Sequence, residues 1–125
     1  MIGDAAYTQS GAILLEIAER FQCLGGETAA GMQRGRSLLM WEANRIGMCV
    51  PQLKESKRVQ GAGFPDGALD WLRDRYQVDC VNFAKLMGDA PFFHGDAPGF
   101  GDCAIWGYTQ WLPEAGLEAT EVMAG

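Results

Sequence analysis

Between Leu69 and Met87 the apolar residues Leu69, Leu72, Tyr76, Cys80, Phe83 and Met87 recur every three or four positions, while Asp70, Arg73, Asp74 and Lys85 fill the opposite side. That spacing draws one apolar stripe along an α-helix and excludes a strand, whose side chains alternate with period two. A stripe of this kind holds a helix in water only when other elements cover it. Four further segments carry the same periodicity and none sustains a two-residue alternation, so the sequence predicts an all-α helical bundle of about five helices.

The first predicted helix begins at Ser10 as N-cap, carries Ile13, Leu14, Ile17, Ala18 and Phe21 on one side, and stops at Gly25-Gly26. Glu16 and Arg20 stand at the i, i+4 spacing of an ion pair on its polar side. A second helix is capped by Thr28 or entered just after it, and runs through Leu38, Trp41, Arg45 and Met48 towards Pro51, which should kink or end it, because proline lacks the N–H and crowds the preceding turn. Residues 52–60, with Lys54, Lys57 and Arg58, read as an exposed helical extension, either a solvated face or a binding patch. Gly61, Gly63, Pro65 and Gly67 mark a loop, and Asp66 is placed to cap the Leu69–Met87 helix. The stretch GDAPFFHGDAPGFG, residues 88–101, reads as a turn packed by Phe92 and Phe93. The next helix runs from about Gly99 to Trp111, with Gly107 allowing close approach of a neighbour. A last one begins near Glu114 or Leu117 and is still in progress at Gly125, as in a chain cut short.

Composition narrows the function classes. Sixteen acids against ten bases in 125 residues give a net charge of -6, which argues against nucleic acid or an anionic membrane as the main partner. The opening MIGDAAYTQSG lacks the features of a signal peptide and no apolar run approaches a membrane span, so the expected location is cytoplasmic. Cys23, Cys49, Cys80 and Cys103 form no CxxC pair and His94 is the single histidine, a set that fits neither a zinc site nor a redox pair. The four are expected to be buried free thiols, and no metal is expected. His94, in the turn, is expected to make a side-chain hydrogen bond rather than act as a general base.

Two segments carry a more specific signal. YTQSGAILLEIAERF (residues 7–21) resembles the point where the thioredoxin-like N-terminal domain of the glutathione S-transferase superfamily closes with a strand, a Glu/Gln-Ser pair and its last helix. APFFHGDAPGFGDCAIWGYTQWL (residues 90–112) is similar to the signature of that superfamily's helical C-terminal domain, and LLMWEANRIGM between them looks like that domain's long first helix. The resemblance implies that residues 1–24 are the remnant of the thioredoxin-like domain and residues 25–125 the helical domain, with Tyr7 on the last strand. It also implies that Gln9 and Ser10 hold the γ-glutamyl end of glutathione, the co-substrate, while Met40, Trp41, Asn44 and Trp106 face a small apolar electrophile, in a homodimer. No residue of this chain takes the role of activating the glutathione sulfur.

The residues can also be read without the family. A helix N-terminus offers free N–H groups and a partial positive charge to a carboxylate, and Ser10 adds a hydroxyl, although the same serine can serve as a cap alone. Asp102 can reach back to the backbone at Gly99 and cap its helix, with the reciprocal half of a capping box missing because Gly99 has no side chain. Met40, Trp41, Met48, Trp106, Tyr108 and Trp111 line a pocket or simply fill the core. Either a glutathione transferase or a non-catalytic helical module for protein or ligand binding remains compatible with these features.

Overall fold

The computed structural model describes residues 6–118, and among them there is no strand. The helices are α1 (Ser10–Phe21), α2 (Ala29–Asn44), α3 (Ile46–Arg58), α4 (Ala68–Met87), α5 (Phe100–Thr109) and a single turn, α6 (Leu112–Ala115). The all-α bundle is thus present. Ala6 to Gln9 enter α1 without forming the strand expected around Tyr7.

The predicted stripe of α4 is the wall of the main core. Leu72, Tyr76, Cys80 and Phe83 are buried against Leu38 of α2, Ile46, Cys49, Val50 and Leu53 of α3, and Ile105, Leu112 and Ala115 beyond them. Each large apolar side chain taken out of water here contributes about 1.5–3 kcal/mol. Asp70, Arg73, Asp74 and Lys85 face solvent, as the pattern requires. A smaller cluster of Ala18, Met32, Leu39, Phe100 and Ala104 fastens α1 to α2 and α5.

Helix α5 sits at the centre because glycines let it in. A Cβ at Gly35 would fall on the ring of Phe100, which is 0% exposed, and one at Gly101 would fall on Leu38. Gly107, expected to serve this purpose, has nothing within 4 Å of its Cβ direction. A glycine shows close approach only through its neighbour, and that neighbour is remote in sequence.

Several boundaries also differ from the pattern-based reading. The break after α2 falls at Arg45 (φ -121°, ψ -92°), and Pro51 lies inside α3 without ending it. The bend is taken where Arg45 reaches a buried carboxylate on α4, so the proline withdraws one N–H from a helix already restarted. Gln9, not Ser10, is the N-cap of α1, and Ser10 is its first helical residue. Gly67, in the left-handed region at φ 77°, caps α4 where Asp66 was expected. Helix α6 closes at Gly116 (φ 70°), so no helix starts at Leu117; the continuation expected towards Gly125 lies outside the described residues.

On α1, Leu14, Leu15 and Ala18 form the packed side, whereas Phe21 is 63% exposed. Glu16 and Arg20 are 3.8 Å apart, as their spacing suggests. The thiols are all free, with Cys49 and Cys80 buried and Cys23 and Cys103 half-buried rather than fully covered.

Candidate functional site

Helix α1 presents its N-terminus to solvent. Gln9 is extended (φ -113°, ψ 132°), its side chain makes no cap hydrogen bond, and Ile13 is the first N–H to close on the helix, bonding Gln9 O at 3.0 Å. Among the described residues nothing accepts from the N–H groups of Ser10, Gly11 and Ala12, and the first turn holds no acidic side chain. Gln9 and Ser10 are both exposed. The arrangement offers an anion three N–H donors, a hydroxyl and an amide at the positive end of the helix dipole.

Asp102 secures the start of α5. Its Oδ2 accepts from Gly99 N at 2.8 Å, capping α5, and its Oδ1 accepts from Phe93 N at 2.7 Å. One carboxylate therefore joins the helix to the preceding turn. Phe93 is buried with its ring edge-on to Phe83 at 4.7 Å, and Arg34 donates to Phe93 O at 2.9 Å and to Leu86 O. His94 lies among Gly25, Gly99 and Gly101; a Cβ at either of the first two would strike the imidazole, and one at Gly101 would crowd it. Burial holds its pKa below the ordinary histidine value, and Nε2 accepts from Gly101 N at 3.3 Å, as expected of a neutral ring with the proton on Nδ1.

The residues expected to form an electrophile pocket face different ways. Met40 is 65% exposed and Trp106 is 64% exposed. Asn44 is exposed and spends its amide on Met40 O at 2.7 Å. Trp41 is half-buried, with its ring edge-on to Phe83 of α4 at 5.8 Å. Of the four, Trp41 lines a cleft, and its companions there are Arg45, Asn82, Lys85 and Leu86.

Beneath that cleft lies a polar group that the sequence reading did not single out. Asp79 is 0% exposed, and its Oδ1 takes a 2.6 Å hydrogen bond from Arg45 Nε. Its Oδ2 has no hydrogen-bond partner among the described residues. Cys49 lies close to Asp79 and Arg75, and its thiol pKa is raised, chiefly by burial. A sequence signal for this site did exist. Asp79 falls in register with Leu72, Tyr76 and Phe83, and an acid on an apolar stripe calls for a buried cation. On α2, Glu42 is likewise 7% exposed; burial raises its pKa to about 6 despite a hydrogen bond from Tyr108.

No helix among the described residues is long and apolar enough to cross a membrane, and no group of three or more His, Cys, Asp or Glu is placed to hold a metal ion. Comparison with protein-family models, curated proteins and solved structures returns no match.

Proposed function

We propose that this chain is the helical part of a glutathione S-transferase-like protein, and that the start of α1 takes the γ-glutamyl end of glutathione. One observation carries the reading: the open N-terminus of α1, where Gln9 and Ser10 flank three N–H groups without acceptors among the described residues. Docking of α1 on α2 and α5, and the Asp102 cap at Gly99, are consistent with the segments on which the resemblance rests. In the whole protein the reaction would be attack of the glutathione thiolate on an apolar electrophile, gaining rate from thiol activation and from holding both reactants together. The group that activates the sulfur is not assigned to any residue of this chain.

The test is calorimetric titration of the chain with glutathione beside a Ser10→Ala variant. Binding that weakens several-fold in the variant is expected, in line with loss of one hydrogen bond to a charged group. No heat at millimolar glutathione would refute the reading.

A second reading, a non-catalytic module that binds another protein, is favoured by the outer side of α1. Phe21 is 63% exposed there, and Ile13 and Ile17 are only half-buried. Absence of glutathione binding together with capture of a partner that is lost on Phe21→Glu would favour it.

A further inference from the structure

The cleft between the C-terminal end of α2 and the second half of α4 has a volume of about 420 Å³, within the range of small-molecule sites. Its lining is unusual for a chain of net charge -6: Trp41, Arg45, Asn82, Lys85 and Leu86 include four N–H donors and no carboxylate. Among the described residues Lys85 has no ion-pair partner, and the Asn82 amide and Trp41 indole make no hydrogen bond. Arg45 uses only Nε, on Asp79, so that neither of its terminal nitrogens has an acceptor. Arg75, nearby on α4, also has no carboxylate partner among the described residues and lies 3.5 Å from Asn44 O. With Asp79 set against Arg45, the cleft keeps a net positive charge, and Lys85 is its exposed cation.

Asp79 explains how the arrangement is held. A fully buried carboxylate bound to one arginine adds little net stability, since desolvation of both charges offsets their attraction. What it does supply is position: a 2.6 Å bond from Nε to the buried Asp79 tethers the guanidinium of Arg45 to α4 beside the cleft and leaves its terminal nitrogens unused. A guanidinium tethered through Nε can still offer its two terminal nitrogens together to a pair of oxygens on one group.

We propose that this cleft binds a small organic phosphate monoester, with the phosphate between Arg45 and Lys85 and the organic part against Trp41 and Leu86. The terminal nitrogens of Arg45, the Lys85 ammonium and the Asn82 amide offer more donors than the two oxygens of a carboxylate can take, and a phosphate has enough oxygens to accept from all three. The indole and Leu86 supply an apolar wall for a ring or short chain. The site is lined by residues of α2, the α2–α3 junction and α4 and by none of α1, and does not depend on the glutathione reading.

Phenyl phosphate is the probe, titrated into the protein at constant ionic strength while the Trp41 indole N–H and Arg45 Nε–H signals are followed by nitrogen–proton NMR, with Trp41→Phe identifying the indole. Lys85 is exposed and without an ion-pair partner, so Lys85→Gln should leave the fold intact, checked by circular dichroism. Saturable shifts of both signals are expected, with affinity about tenfold lower in Lys85→Gln, the effect of one charge-assisted hydrogen bond. Lys85→Glu should lower it further. Absence of shifts at roughly 10 mM phenyl phosphate, a level at which even a weak site fills, would overturn the proposal. So would equal affinity in Lys85→Glu, and benzoate binding as tightly as phenyl phosphate would overturn the choice of a phosphate.

Discussion

Glu42 offers the most direct test of how this core is balanced. It lies on α2 at 7% exposure, faces Gly47 of α3, and is hydrogen-bonded by Tyr108 of α5. Burial raises its pKa from 4.5 to about 6, the hydrogen bond from Tyr108 acting in the opposite direction. Because the folded state holds this proton more tightly than the unfolded state, folding is favoured at low pH. That advantage fades as pH rises from 4.5 to about 6 and is absent above. At about 1.4 kcal/mol per pH unit, the interval amounts to about 2 kcal/mol of cost carried by the buried charge near neutrality. Glu42→Gln removes the charge, keeps the side-chain length and leaves an oxygen to accept from Tyr108. The variant should therefore be more stable at pH 7.5 by about 2 kcal/mol, or roughly 8 °C in melting temperature for a domain of this size. At pH 4 the two proteins should melt together. Thermal melts followed by circular dichroism across this range read the difference, and subtraction of the two profiles removes the other carboxylates. A variant less stable than the parent at pH 7.5, or a difference that does not change with pH, would refute the assignment of desolvation as the dominant effect.

Two further stability tests follow from the packing. Gly35→Ala should destabilise the protein by about 2 kcal/mol, because the methyl meets the buried Phe100 ring, while Gly107→Ala should stabilise it by about 0.5–1 kcal/mol by favouring the helix at a position with open space. Urea unfolding of both variants checks the contrast, and equal effects would refute it. Asp102→Ala should cost about 2 kcal/mol through loss of the bonds to Gly99 N and Phe93 N, whereas Asp102→Asn, whose one amide oxygen can keep one of the two, should cost about half as much.

The features legible in the sequence are those set by neighbours along the chain. The α4 stripe was legible because burial repeats on one side of one helix, and Glu16 with Arg20 because a single turn separates them. The Asp102 cap was legible at Gly99, three residues away, but its second bond to Phe93 was not, since that depends on how the turn folds back. Pro51 misled for the same reason. Its local cost is real, yet the break falls at Arg45, whose side chain meets Asp79, 34 positions later. The cleft at Trp41 is the extreme case: Arg45 reads locally as one more base on α2, and Lys85 as surface charge on α4. Only the packing of α2 on α4 brings their donors together. By contrast Gln9 and Ser10 are adjacent in sequence, and their exposure at the start of α1 needs no tertiary contact to arise.

Arg34 has a consequence for what the chain can tolerate. Its guanidinium grips the carbonyls of Leu86 and Phe93 from α2, so both ends of the intervening stretch are anchored to a helix that is not part of it. Asp89 and Pro91, between the anchors, are exposed. Residues inserted there would lengthen an excursion whose endpoints stay fixed, and each doubling of its length adds only about 0.6 kcal/mol of closure entropy. The stretch between Gly88 and Pro91 is thus a place where a tag or a small domain can be carried without shifting α4 or α5, so long as Arg34 remains.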